Sequence, residues 1–167
     1  MSGLAFLSPS RCAPGVELAS PLRRALAGAD PERVRDLSLT PVLELRGELA
    51  SDALPVEGEL VRLTPRRAFL FPGGDAADAA RRLRAAGVLA YDASGALAGL
   101  EIAGERVMRR LTDLDLDRLP AAGPVAGVWA LVLPGGDGRY RVFVHQELGH
   151  YVAEAVLDAL AGVEANP

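Results

Sequence analysis

The chain has 167 residues and a formal net charge of −4 at pH 7, with acidic and basic side chains interspersed along it. This length is that of one domain with its own core, and the lack of a basic cluster argues against nucleic-acid binding. All 18 basic residues are arginine, which excludes chemistry that needs a lysine, such as Schiff-base formation.

The apolar residues and the start of the chain indicate neither a membrane span nor export. No apolar run approaches the roughly 20 residues that a membrane span requires. The first residues lack the basic and apolar regions of a signal peptide. Cys12 is the only cysteine, which excludes an internal disulfide and a cysteine metal cluster. We therefore expect a cytoplasmic protein without a membrane partner.

The first half of the sequence predicts two helices separated by three strands. Ser20 is suited to cap the first helix. Asp75 lies in the first turn of the second, where the helix dipole favours a carboxylate. Between the helices, alternating polar and apolar residues are typical of half-buried strands. The predicted elements are a helix at 18–31, strands at 41–50, 58–64 and 67–72, and a helix at 73–87.

The second half continues the alternation of strands and helices. The stretch GGDGR lies between two apolar segments and is typical of a hairpin turn. The last helix spaces its apolar residues three and four positions apart, which predicts one buried face. A proline- and glycine-rich stretch at 119–124 is expected to be a linker. The predicted elements are strands at 88–93 and 97–104, a helix at 105–114, strands at 125–134 and 140–145, and a helix at 147–162.

An internal repeat relates the two halves. The sequence LELRGE at 43–48 matches LEIAGE at 100–105, and residues 67–83 match 141–157 in the same order. The simplest account is two copies of one strand-strand-helix unit, the second expanded by an inserted helix and linker. We predict an α+β fold with two related, ferredoxin-like halves facing each other about a pseudo-twofold. The sheet edges would be joined, with the helices on one side.

The candidates for metal binding are two histidines and a run of aspartates. His145 and His150 lie five residues apart, whereas helical zinc sites place histidines at i and i+4. We expect His145 to end a strand and His150 to lie in the following helix, both exposed. The aspartates of residues 112–119 alternate with leucines and lie close to arginines, which favours a solvated helix end. The sequence therefore predicts no metal site.

Residues 91–119 carry a resemblance to a known family. Asp92 and Ser94 are followed by a strand that ends at Gly104 and then by a helix. This order resembles the folate-binding domain of the aminomethyltransferases, the glycine-cleavage T-proteins. Within that superfamily the chain is most similar to the gamma subunits of heterotetrameric sarcosine oxidase. The resemblance implies one such domain at 20–162.

The rest of the chain and the site residues follow from this resemblance. Residues 1–19 would be an N-terminal extension and 163–167 a tail. The family's enzymes carry a carboxylate that meets folate on the strand before the hairpin. Val128 or Trp129 occupies the matching position here. The resemblance thus implies a chain with no catalytic residue of its own.

The same resemblance implies the partners and cofactors. The chain would bind a larger flavoprotein subunit of an amine oxidase and stabilise it or shape its folate-side cavity. Flavin and tetrahydrofolate would belong to the complex, and no cofactor would bind this chain directly. Trp129, Tyr140 and Tyr151 are candidate interface residues, because aromatic side chains are enriched at interface hot spots.

Three short-range roles are expected for the residues that carry the resemblance. Aspartate and serine side chains bond nearby backbone amides. We therefore expect Asp92 and Ser94 to organise a turn between strands rather than to act in catalysis. Gly104 would allow a closely packed start to the following helix.

Two other functions remain open from the sequence. The chain could be a stand-alone folate or small-molecule binding protein with a one-carbon transfer role. Its pocket would then lie between the two halves and be lined by Arg67, Arg141 and His145. A ferredoxin-like regulatory or assembly domain, unrelated to the family, accounts for the same pattern of strands and helices.

Overall fold

A computed structural model describes residues 19–49 and 54–165 of the chain. The predictions for Cys12 and for nearly all of the N-terminal extension lie outside the described residues. The strands are β1 Val34–Asp36, β2 Leu43–Arg46, β3 Gly58–Thr64, β4 Arg67–Pro72, β5 Leu89–Asp92, β6 Leu97–Ala103, β7 Ala121–Val125, β8 Val128–Gly136 and β9 Arg139–His145. The helices are α1 Ala76–Ala85, α2 Glu105–Leu111 and α3 Gly149–Ala165.

Two antiparallel sheets pack face to face, with helices on both outer faces. The first sheet has the order β3-β4-β2-β5 and the second β1-β6-β9-β8-β7. Successive side chains of a strand point to opposite faces. In β4, Phe69 and Phe71 therefore enter the core between the sheets, while Ala68 and Leu70 pack with α1. Helices α2 and α3 cover the outer face of the second sheet.

The predicted α+β class with two related halves is confirmed, whereas the predicted arrangement of the layers was wrong. Strands β2, β4 and β3 have the same order in their sheet as β6, β9 and β8. The sheet edges are not joined, however, and the helices lie on opposite sides. The reason is that neighbouring residues such as Leu70 and Phe71 are both buried. A sheet that is apolar on both faces must be covered on both.

Each half contributes one strand to the sheet of the other half. Strand β1 precedes the first repeat unit in the sequence but pairs with β6, in the second. Strand β5 precedes the second unit but pairs with β2, in the first. Neither exchange follows from local sequence, and β1, only three residues long, was not predicted at all. The exchange makes each sheet depend on both halves.

An Asp-x-Ser motif begins at the last residue of each exchanged strand. The Asp36 carboxylate accepts a hydrogen bond from the amide of Ser38 at 2.8 Å, and Asp92 accepts one from the amide of Ser94 at 3.0 Å. Each is a turn in which the side chain of the aspartate bonds the backbone two residues on. The expected turn role of Asp92 and Ser94 is confirmed, and the same motif is present in the first half.

The two serine hydroxyl groups then bond to the opposite half. Ser94 contacts the residue just before β2, and Ser38 contacts the third residue of β6. In each case the residue before the serine adds a backbone bond. The four hydrogen bonds are Val42 N to Ser94 Oγ at 3.0 Å, Ala93 N to Val42 O at 2.9 Å, Gly99 N to Ser38 Oγ at 3.2 Å and Leu37 N to Gly99 O at 2.8 Å.

The helix predicted at 18–31 is wrong, because the described part of this segment forms consecutive turns. Ser20 still accepts a hydrogen bond from the amide of Leu22, at 3.0 Å, as a helix cap would. Gly28 then reverses the chain with φ of 84°. So short a segment gains little from helix formation. It is held instead by Leu22, which is fully buried in the core of the second sheet.

The linker predicted at 119–124 is also wrong, since most of it forms the edge strand β7. Pro124 is tolerated there because an edge strand needs hydrogen bonds on one side only. The side chain of Leu114 fills the space beside Gly123, and a Cβ atom at that glycine would lie 2.7 Å from the leucine Cδ2. A tight turn at Ala126 and Gly127, with φ of 49° and 79°, then leads into β8.

Gly104 caps α2 for a different reason from the one expected. A Cβ atom at this position would meet nothing closer than Val107 Cγ2, at 3.9 Å. Its φ is 97°, in the region that residues with a side chain rarely adopt. Backbone conformation, rather than close packing, therefore requires a glycine here.

Ser94→Ala should lower the free energy of unfolding by about 1–3 kcal/mol. The reason is that the backbone amide of Val42, a buried residue, loses the hydroxyl oxygen that accepts its hydrogen bond. Ser38→Ala should have a similar effect through Gly99. Denaturant unfolding monitored by circular dichroism measures both. Ser94→Thr retains the hydroxyl group and is the matched control. Equal stability of Ser94→Ala and the wild type would contradict the role given to this serine.

Candidate functional site

Seven side chains form a continuous band across one end of the two sheets, called here the aromatic–arginine band. They come from both sheets, so only the packed sandwich brings them together. The contacts run through ion pairs at one end and stacked rings at the other. In spatial order the members are Tyr91, Arg46, Glu44, Arg67, Phe69, Trp129 and His145.

The charged part of the band consists of two arginines that share one carboxylate. Oε1 of Glu44 accepts hydrogen bonds from Nε of Arg46 at 3.0 Å and from Nε of Arg67 at 2.7 Å. The side chain of Glu44 is only 17% exposed, whereas those of Arg46 and Arg67 are 56% and 45% exposed. The carboxylate thus lies beneath two guanidinium groups, and the surface that solvent meets is positive.

The ring part of the band crosses from one sheet to the other. The Arg67 guanidinium lies 5.8 Å from the centroid of the Phe69 ring. The Phe69 and Trp129 centroids are 6.2 Å apart, and those of Trp129 and His145 are 5.8 Å apart. Phe69 is buried, Trp129 is half-buried and His145 is exposed. At the opposite end, the Arg46 guanidinium lies 6.0 Å from the Tyr91 ring.

Strand register explains why these residues share a face. Glu44 pairs with Phe69 of β4 and with Tyr91 of β5, so the three side chains lie side by side. Two residues along β2, Arg46 pairs with Arg67 and with Leu89 on the same face. This is the face that carries the core between the sheets, and Phe69 belongs to both the core and the band.

The three predicted cofactor-binding residues do not lie together. Arg67 and His145 belong to the band and are connected through two rings. Arg141 lies at the opposite end of the space between the sheets, where its Nη2 contacts both carboxylate oxygens of Glu59 at 2.6 and 2.7 Å. The apolar core fills the space between the two ends. A role of these residues in binding a cofactor stays a prediction.

The three predicted interface residues have different surroundings. Trp129 lies in the band. Tyr140 packs against the core of the second sheet, and burial, followed by the nearby Glu105 carboxylate, raises the pKa of its phenol. Tyr151 is 53% exposed, and its hydroxyl group donates to the carbonyl oxygen of Ala126 at 3.0 Å. Their contact with a partner stays a prediction.

The histidines and aspartates considered for metal binding have ordinary structural contacts. His145 ends β9, whereas His150 lies in α3, 3.2 Å from the carboxylate of Glu154. Asp115 accepts a hydrogen bond from the amide of Asp117 at 3.2 Å and so caps a short turn. Within the described ranges, no group of three or more histidine, cysteine and acidic residues is arranged to hold a metal ion.

Two surface cavities lie away from the band. One, of about 510 Å³, is formed by residues 54–57 and the start of α1. The other, of about 580 Å³, is formed by the turns around Arg23 and Arg24.

In the part of the chain that the structure describes, none of the helices combines the length and hydropathy that a membrane crossing requires.

Sequence reasoning missed several members of the band. The sequence indicates Glu44 and Arg46 only as polar positions of the alternating strand predicted at 41–50, and Phe69 only as part of the strand predicted at 67–72. Tyr91 and the adjacent Leu89 were not singled out. The alternation of VLELRG indicates which residues share a face. The pairing of β2 with both β4 and β5, which completes the band, is visible only in the structure.

Comparison with known proteins gives an informative likeness among solved structures. No family profile and no curated protein matches the chain. Among solved structures, it is similar to a chain of the heterotetrameric sarcosine oxidase from Corynebacterium sp. U-96, in complex with pyrrole 2-carboxylate. The TM-score is 0.74 at 18% identity, and the alignment covers 90% of this chain and 98% of that chain. The likeness confirms the fold that the sequence resemblance implied.

The contact between Arg141 and Glu59 links the two sheets and should contribute measurably to the free energy of unfolding. Arg141→Gln and Glu59→Gln are each expected to lower the free energy of unfolding by about 0.5–1 kcal/mol, because one side chain is 22% and the other 47% exposed. The double variant should lose less than the sum of the two. Urea unfolding measures all three. Arg118→Gln, at an exposed arginine paired within its own turn, is the control. Strict additivity would contradict a direct link.

Proposed function

We propose that this chain is a subunit, without catalytic activity of its own, of a cytoplasmic flavin-dependent amine oxidase that resembles heterotetrameric sarcosine oxidase. The observation that carries the proposal is the near-complete overlap, in both directions, with a chain of such a heterotetramer. A similar place in an assembly is the simplest reason for such a match.

The contacts of the conspicuous polar residues support a structural role. Asp92 and Ser94 are occupied in the turn that binds the other half. Arg141 is occupied by Glu59 and by the carbonyl oxygen of Pro134, at 3.0 Å from its Nε. Side chains engaged in this way help to maintain the fold. Flavin and tetrahydrofolate would then be held by the larger partner chain.

The exposed apolar residues support association with another protein. Leu89 and Tyr91 are 54% and 50% exposed, although most large apolar side chains of the described residues are buried. Clusters of exposed apolar residues rimmed by polar ones mark interaction sites on soluble proteins. Tyrosine, tryptophan and arginine are the residue types enriched at interfaces, and all three occur in the aromatic–arginine band.

Purification of the tagged chain from extracts of its native cells tests the proposal. We expect a larger chain in near-stoichiometric amount, the absorbance spectrum of a flavin, and oxidation of a secondary amine such as sarcosine by the purified material. An unrelated tagged protein of similar size controls for capture by the tag. A chain that purifies alone contradicts the proposal. If that lone chain bound tetrahydrofolate in calorimetry, it would be a stand-alone binding protein instead.

A further inference from the structure

Two of the exposed apolar side chains lie together on one face of the edge strand β5. In the described residues, four large apolar side chains are well exposed. Leu89 and Tyr91 are two of these, and their spacing of two places them on the same side of the strand. Arg46 lies directly beside both, as the register partner of Leu89 and above the Tyr91 ring. The result is a pair of exposed apolar side chains with a cation beside them.

Arg67 can offer hydrogen-bond donors to a further acceptor. Within the described residues, it bonds to Glu44 through Nε, and neither of its terminal nitrogens donates to a protein acceptor. A guanidinium group has five N–H donors in a planar fork that matches a carboxylate. Because Glu44 lies beneath both arginines, an approaching molecule meets two positive groups on a chain whose net charge is −4.

The free edge of β5 is not suited to the addition of another strand. The amide of Ala93 donates a hydrogen bond to the carbonyl oxygen of Val42. The backbone amide and carbonyl groups of odd-numbered residues in β5 therefore point toward β2, and the carbonyl group of Ala90 points away from the sheet. That carbonyl accepts hydrogen bonds from Arg84, at 3.1 Å from Nε and 2.5 Å from Nη2. Covering an edge with a charged side chain prevents strand pairing. A partner therefore meets the face of the strand and not its edge.

We propose that Leu89, Tyr91, Arg46 and Arg67 form the docking surface for the larger partner chain. The partner presents a carboxylate to the two guanidinium groups and an apolar side chain to Leu89 and Tyr91. This inference rests on the proposed function and adds to it the position and chemistry of the contact. It commits to an acidic, partly apolar protein segment, since charge complementarity and exposed apolar area coincide at this point of the surface.

The test measures the affinity of the chain for the purified larger flavoprotein chain. Arg46→Glu and Tyr91→Ser should each raise the Kd for the flavoprotein chain by about tenfold to a hundredfold, as expected of hot-spot residues. Wild-type binding should also weaken as salt screens the charges. Arg81→Glu, at an exposed arginine of α1, and Leu39→Ser, at an exposed apolar residue elsewhere, are the matched controls and should bind as the wild type does.

A second measurement does not depend on the folding of variants. Hydrogen exchange of the wild-type complex should be slowed over residues 89–92 relative to the free chain. If the complex forms but the band variants bind normally and exchange is unchanged, the docking surface is wrong and the proposed function stands. If no flavoprotein complex forms, both fall. If these variants instead dissociate a homodimer in sedimentation, the occupant is a second copy, which overturns the proposal.

Discussion

Two serine hydroxyl groups each accept a hydrogen bond from a backbone amide of the opposite half. The position of the exchanged strands, on which the rest of the molecule depends, is set by these two bonds. Ser94 binds the amide of Val42 and Ser38 that of Gly99, while the preceding aspartates hold the two serines in place. The exchanged strands β1 and β5 are thereby fixed at the edges of the two sheets. Without that exchange, Leu89 and Tyr91 would not lie beside Arg46, and the band would end at Arg46.

The apolar core between the sheets packs the two halves, with their exchanged strands, into one rigid unit. The Phe71 and Phe143 rings, with centroids 4.7 Å apart, occupy its middle. Polar contacts close its two ends in different ways. At one end Arg141 is paired with Glu59 and has few donors left. At the other end Arg46 and Arg67 share the half-buried carboxylate of Glu44, and Arg67 retains donors. This difference in hydrogen bonding is the physical reason for the proposal that the first end serves stability and the second end recognition.

The few requirements of this fold explain why the chain and the solved structure share a fold at low sequence identity. The layers require alternating apolar positions, a few glycines and two short turns, and apolar residues of similar size replace one another at modest cost. A backbone can therefore stay alike while most side chains differ. The surface is under no such constraint from the fold, so the band has to be interpreted from its own charges and exposure. Those properties underlie the proposal of a protein partner with an acidic segment.

The sequence by itself determined the α+β class, the repeat, most of the strands and helices, and the turn at Asp92 and Ser94. These features depend on residue period and on hydrogen bonds between residues close in sequence. Only the tertiary structure decided that β5 pairs with β2, that residues 121–125 form a strand, and that Arg67 and His145 share a band while Arg141 does not. These outcomes depend on which strand edges meet and on which apolar face covers another. That choice is made by contacts between residues far apart in the chain, on which local pattern carries no information.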